Sequence, residues 1–560
     1  MSENERVMMS DFNPYDQLIE PATEPVKSPV ILGNSMEPEN INRMDGSMEI
    51  IPLAAGAAYS KLQVKENKIS DVVLMEVEED ILVPDTFPDM ETILNMDVSV
   101  DTVDTYNENG RAEIKGKLKV ETMYRSAEHY GDNISVVPAG IDFSKDLKPE
   151  GAGQPTVKIE KVEYRIINER KYKAKIHAAI YLKKENEKEY MIFDGIENEK
   201  LYLRREDITV MDMVSRKTKS GDINEELLIG DEKIRPVKIL KTKITTCENH
   251  RQLTSEKLVL NQTLWVRILY LAEIASKGNL SNQPMMYQGK IDHTQFIPLG
   301  KGEGEVVTCT TCTPVEKIDI EINRESNGFL VSGEIITDVE FYSEVKKEIV
   351  TDFYHDKEEM TCDMKSEKIC NSVNRLSAEQ TLRESISLQA EAGDELRIIY
   401  IDAQAVETAV TIEGSSVIVK GKLHLEAVIM NEGDYTMLAK KICDFSCMKE
   451  LPQGMCSRTD LERIAVREIK GDISGGEINL TAQLQADLNI YNETEITCIS
   501  NPCIIRRGQP AKQYPITIHT VADGETIWEI GKKYKVGEDC ITAYNKPECI
   551  QPGKKIIIVK

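Results

Sequence analysis

Three stretches of the chain carry one alternating pattern at a near-constant spacing, and this self-similarity limits the fold more than any other feature. They are Ile114-Lys115-Gly116-Lys117-Leu118-Lys119-Val120, Leu260-Asn261-Gln262-Thr263-Leu264-Trp265-Val266 and Val419-Lys420-Gly421-Lys422-Leu423-His424-Leu425, offset by 146 and then 159 residues. Ile93-Leu94, Ile239-Leu240 and Ile398-Ile399 precede them by 21 residues each time. Ile141-Asp142-Phe143-Ser144, Ile291-Asp292-His293-Thr294 and Cys443-Asp444-Phe445-Ser446 follow them by 27, 31 and 24 residues. A second alternating stretch closes each copy, at 174–180, 330–335 and 480–484. Landmarks recurring in one order imply three copies of a unit of about 150 residues.

Alternation with a period of two sets one face of an extended strand on a core and the other in water, as in antiparallel sheets. Asn107-Glu108-Asn109-Gly110, Ser326-Asn327-Gly328 and Glu413-Gly414 provide turns. Long apolar helices are lacking, and a helical stretch expected at 378–387 is short. Aromatic residues make up 6% of the chain, so the cores are expected to be aliphatic. The expected fold class is mainly β: three tandem β-rich repeat domains, sandwiches or open barrels, over 66–215, 216–372 and 373–505. Residues 1–65, acidic and without a sustained period, are expected to be disordered.

Beyond residue 505 the chemistry changes. Arg506-Arg507-Gly508-Gln509-Pro510-Ala511 begins a linker assigned to 506–514. Residues 506–560 hold 10 basic and 6 acidic side chains, a balance of +4, against −30 for residues 1–505. A reversal of sign at a linker marks a separate module, here 515–560. Ile516-Thr517-Ile518-His519-Thr520-Val521 alternates as a strand, Glu525 to Gly531 opens a helix, 539–545 forms a second one, and 556–559 a final strand. This β-α-α-β unit is small enough that Trp528 and the Ile/Val set are expected to supply most of its core.

The module resembles a LysM domain. The matching residues are Thr520-Val521, Asp523-Gly524-Glu525-Thr526-Ile527-Trp528, Ile530, Lys533-Tyr534, Val536, Tyr544-Asn545 and Ile550-Gln551-Pro552-Gly553-Lys554-Lys555-Ile556. The resemblance implies a shallow groove for N-acetylglucosamine-containing glycan. Its walls are the loop after the first strand (Asp523, Gly524, Glu525, Thr526 and Ile527) and the loop before the last (Cys549, Ile550 and Gln551). Lys546-Pro547-Glu548-Cys549 departs from the family's usual leucine and polar stretch, which points toward a protein occupant instead.

Ile81-Leu82-Val83-Pro84-Asp85-Thr86-Phe87-Pro88-Asp89-Met90-Glu91-Thr92-Ile93-Leu94 resembles the opening of the SPOCS repeat of endospore-forming Firmicutes. SPOCS repeats followed by a terminal LysM domain are similar to SipL-type spore-coat morphogenetic proteins of clostridia. That resemblance implies a mother-cell protein at the forespore surface or in the spore coat. It would be a non-enzymatic scaffold whose LysM module holds a coat-basement ATPase (SpoIVA-like). Peptidoglycan glycan of the cell wall or spore cortex is the alternative partner.

Charge and motif content agree with a scaffold. A net charge of −26 disfavours nucleic acid, which requires basic side chains to displace its counterions. The stretch 50–58 is interrupted by Pro52 and Gly56 and is too short to span a bilayer, so no membrane insertion is expected. The N-terminal residues lack the pattern of a secretory signal, so a cytoplasmic location is expected. Twelve cysteines are too few for a disulfide scaffold, and Cys309-Thr310-Thr311-Cys312 lacks a second pair at zinc-site spacing. None of the seven histidines sits in a metalloprotease or nucleophile motif. Neither a cofactor nor a metal is expected. Asp142, Asp292 and Asp444 recur with the repeat and read as turn or capping carboxylates.

Overall fold

The computed structural model describes residues 48–53, 56–108, 111–127, 134–147, 154–276, 279–300, 305–312, 315–388, 396–431, 435–451, 456–507, 514–546, 548 and 550–560. A short strand β1 (Met48–Pro52) precedes three units of one design. The first unit begins with a long strand β2 (Ala57–Leu82), continues through a meander of β3 (Met90–Glu108), β4 (Arg111–Ser126) and β5 (Ile134–Leu147), and returns through β6 (Gln154–Asn168) and β7 (Lys171–Ile196). The second has β8 (Leu201–Leu228), the meander β9 (Ile234–Leu253), β10 (Lys257–Ser276) and β11 (Asn279–Pro298), then β12 (Val306–Thr311), β13 (Val315–Asn323) and β14 (Gly328–His355). The third has β15 (Glu359–Ser387), the meander β16 (Leu396–Glu413), β17 (Ser416–Asn431) and β18 (Thr436–Glu450), then β19 (Arg458–Ser474) and β20 (Glu477–Arg507).

Each unit is a two-sheet sandwich. One sheet is the meander, with β4, β10 or β17 in the middle. The other forms around the last strand, β7, β14 or β20, which pairs antiparallel with the unit's own first strand, β2, β8 or β15. Leu118, Val120, Ile176 and Ile180 fill the first core, Leu264, Val266, Val331 and Ile335 the second, and Leu423, Leu425, Leu480 and Leu484 the third. These are the alternating residues of the repeated stretches, so the period-two pattern marks the inward faces of the central strands.

The third landmark has a cross-strand explanation. Gly116 lies opposite Phe143, and Gly421 opposite Phe445. A Cβ on Gly421 would come within 2.8 Å of the Phe445 ring, so the ring lies directly on the glycine. The middle unit replaces this pair with Gln262 and His293. Asp142, Asp292 and Asp444 are not turn or capping residues. They lie within strands opposite Lys117, Thr263 and Lys422, and Thr263 Oγ1 donates to Asp292 at 2.6 Å.

Several boundaries differ from those read in the sequence. Cuts before residues 66, 216 and 373 fall inside β2, β8 and β15; the units span 57–196, 201–355 and 359–507. Each first strand pairs with a strand that follows it by about a hundred residues or more, so nothing local assigns it to the unit downstream. The stretch 378–387 is not helical but part of β15. There Ala378, Gln380, Leu382, Glu384 and Ile386 turn inward and alternate with exposed Glu379, Thr381, Arg383 and Ser385, because pairing with β20 overrides local propensity. Of the expected disordered segment, residues 48–52 and 57–65 are strand and residues 1–47 lie outside the described residues. Arg506 and Arg507, assigned to the linker, belong to β20, and residues 508–513 lie outside the described residues.

The units are joined by a shared interior. Leu94, Leu269 and Ile399, with Met123 and Val428, form one apolar cluster to which all three meanders contribute. Leu62 and Ile192, Val210 and Ile349, and Ile369 and Ile496 form another, between the long outer ribbons. Beside the first cluster, Lys243 bridges Asp97 (3.4 Å) and Asp402 (2.6 Å), Lys241 pairs with Asp97 (2.5 Å), and Arg267 pairs with Asp402 (2.9 Å). Asp97, Lys243 and Asp402 occupy one repeat position, and Glu121, Arg267 and Glu426 another. Equivalent positions meet in the apolar cluster and at Asp97, Lys243 and Asp402, with cations from the middle unit against anions from the outer two. Removing one partner of a buried pair leaves an uncompensated charge, so the arrangement of the units is sensitive to loss of any one of these groups.

Candidate functional site: the C-terminal module

The module contains β21 (Ile516–Thr520), α1 (Ile527–Tyr534), α2 (Glu538–Tyr544) and β22 (Lys555–Val559), in the expected order. β21 and β22 pair antiparallel from Ile516↔Val559 to Thr520↔Lys555. Thr526 caps α1: its hydroxyl accepts from the Glu529 N–H (3.2 Å), while the Glu529 carboxylate accepts from the Thr526 N–H (2.8 Å). The helix ends where Lys535 enters the left-handed region at φ 57°, with Lys532 and Lys533 in its last turn. Val521, Ile530, Val536, Ile541, Ile556 and Ile558 form the core.

Trp528 is not a main element of that core. Its indole N–H donates to Asp352 Oδ2 (2.7 Å), and its ring meets Tyr354 edge-on at 4.9 Å between centroids, both from the end of β14. Lys532 pairs with the other oxygen of Asp352 (2.6 Å), Tyr354 Oη–H donates to the Val536 carbonyl (2.8 Å), and Lys535 donates to the Lys357 carbonyl (2.7 Å). A Cβ on Gly531 would lie 2.6 Å from Tyr354 Oη, so only glycine admits this approach. One face of α1 is therefore docked on the second unit. The sequence signal was available, since a tryptophan beside a glycine three residues on suits a partner surface as well as a small core.

The residues assigned to the groove divide by duty. Asp523, Gly524 and Gln551 are exposed, and Gly524 adopts φ 75°, the left-handed region a tight turn requires. Glu525 faces inward: its carboxylate accepts from the Ala522 N–H (2.9 Å) and contacts His519 Nε2 (2.7 Å). The Ala522 hydrogen bond, with help from His519, holds its carboxyl below the usual range. Thr526 serves as the helix cap, and Ile527 and Ile550 pack partly into the core. Cys549 and Pro547 lie outside the described residues. The structure thus brings the two loops onto one small body and leaves Asp523, Gly524, Thr526 and Gln551 as its exposed members.

Elsewhere, Cys309 and Cys312 have different neighbours: Arg251 lies 3.5 Å from the first thiol and Lys183 4.0 Å from the second. Burial raises both thiols, Cys312 to about 12. A cavity of about 430 Å³ between the first and third units is lined by Asn95, Asp97, His424 and Lys440, next to the ion-pair network. Among the described residues, no helix is long and apolar enough to cross a membrane.

Residues 519–559 match the family model described as LysM domain. Comparisons with curated proteins and with solved structures give no match.

Proposed function

We propose that the chain is a non-enzymatic scaffold whose C-terminal LysM module binds a macromolecule through the Asp523–Gly524 and Gln551 loops, with N-acetylglucosamine glycan as the ligand class. The observation that carries this reading is the LysM match together with the placement of the module: α1 is held by Asp352 and Tyr354, while the outward residues of both loops stay exposed. Fixing a small module on a large body presents its loops in one orientation, which reduces the ordering cost of binding. Intact chain should co-sediment with purified peptidoglycan, and Gln551→Trp, a bulky change at an exposed position, should release most of it. Binding unaffected by that change would exclude the loops as the site.

A finer reading places the scaffold in the spore coat, at the forespore surface in the mother cell, with a SpoIVA-like ATPase at the LysM module. It is supported by the resemblance of residues 81–94 to the SPOCS opening and by the three repeated units ahead of the module. Capture of purified ATPase by the intact chain, with no sedimentation on peptidoglycan, would favour this reading over the glycan one.

A further inference from the structure

The two edges of the small C-terminal sheet are treated differently. At β22, Asn545 acts as a substitute strand: its side-chain amide donates to the Ile557 carbonyl (2.7 Å) and its Oδ1 accepts from the Ile557 N–H (2.8 Å). In an antiparallel ladder the N–H and C=O of one residue point the same way, and successive residues alternate. Since Ile557 turns toward Asn545, Ile518 opposite it turns away from β22, and so do Ile516 and Thr520. The alternate residues agree, because Val521 N–H reaches the Lys554 carbonyl and Lys560 N–H the Pro515 carbonyl. Among the described residues, no backbone hydrogen bond reaches Ile516, Ile518 or Thr520 from the open side.

Apolar side chains accompany this open backbone. Ile516 and Ile518 are 64% and 67% exposed, Ile557 beside them 45%, and Tyr514 just before the strand 61%. An unprotected edge with aliphatic residues at alternate positions is a template for a further strand. The surrounding charge selects the kind of strand. The outer face of the pair, Ile516, Ile518 and Thr520 with Lys555, Ile557 and Val559, carries no carboxylate, and Lys554 and Lys560 flank it. A second copy is disfavoured, because it would bring two chains of net charge −26 against each other.

We propose that the open edge of β21 docks an extended acidic segment of a protein partner as a third strand, its aliphatic residues continuing the Ile516–Ile518 stripe and its flanking carboxylates meeting Lys555 and Lys560. This surface is separate from the loops assigned to glycan.

The test uses the full chain and an acetylated, amidated decapeptide of sequence Glu-Glu-Val-Thr-Val-Thr-Ile-Thr-Glu-Glu. Binding should slow amide exchange at Ile516 and Ile518 by about fivefold or more. Methylating alternate peptide nitrogens should weaken binding by about tenfold, since backbone pairing supplies the affinity. Replacing the four Glu by Lys should also weaken it, with a difference that shrinks as salt is added. Ile518→Lys, an outward-facing change, should weaken binding while leaving the exchange of buried Ile530 and Ile541 unchanged. The proposal is overturned if the methylated peptide binds equally well or protection appears at 523–527 instead. It is also overturned if Ile518 exchanges slowly without peptide, showing the edge already covered by residues 1–47 or by a second copy, which sedimentation separates. A chitotetraose titration of the same samples reports on the glycan reading independently.

Discussion

Gly116 has no room for a methyl group: a Cβ there would press on the Thr102 carbonyl and the Phe143 ring. Gly116→Ala should therefore destabilise the first unit by about 1–3 kcal/mol, the usual cost of overpacking, measured by urea unfolding. Gln262, its counterpart in the second unit, already carries a side chain, and Gln262→Ala should not show that clash. The pair was half legible. Both members stood out as recurring landmarks, but their contact depends on β4 pairing with β5, which spacing alone did not specify. Glu525 illustrates the opposite case, because its motif position suggested a ligand contact and its hydrogen bonds direct it inward.

Among the elements, α1 has two roles. Its existence and its Ile530 followed from the short apolar spacing, whereas Thr526, assigned to the groove, is its cap. Its docking on β14 was not readable, because Asp352 and Tyr354 lie more than 170 residues away from Trp528. Asp352→Ala removes the acceptor for Trp528 and the partner of Lys532 together. The expected result is faster amide exchange at Trp528 and Lys532 with little change in the unfolding midpoint of the repeats. Unchanged exchange would mean that the Tyr354 and Lys357 contacts suffice to hold the module. β15 carries the same lesson for strands, since a stretch whose local preferences allowed a helix became extended through its pairing with β20.

For the whole molecule, the charges between the units contribute to the pH dependence of stability. Burial alone would raise the Asp97 carboxyl, but attraction to Lys241 and Lys243 outweighs it and holds the group well below the usual range. Burial would lower Lys243, but Asp402 and Asp97 raise it, despite the nearby Arg267. A depressed carboxyl adds stability above its ordinary pKa of about 3.9, lost as pH falls through the folded value; a raised lysine adds stability below about 10.4, lost as pH rises. The contribution of this network should therefore be constant between these limits and fall outside them, while burial lowers His293 and His424 and raises Cys247 and Cys312, adding losses of stability below about pH 6.5 and above about pH 8.5. Asp97→Asn should flatten the unfolding profile below about pH 4 and leave the slope near pH 6.5 unchanged; an unaltered acid limb would locate its controlling groups elsewhere.

Strand content, the threefold repetition and the β-α-α-β module followed from local patterns, because alternation, turn residues and helix caps act over a few neighbouring positions. Which strand closes each sandwich, how cations of the middle unit meet anions of the outer two, and where Trp528 is buried arose only in the folded chain. Those outcomes depend on contacts between residues far apart in sequence, whose free energies no short window of sequence contains.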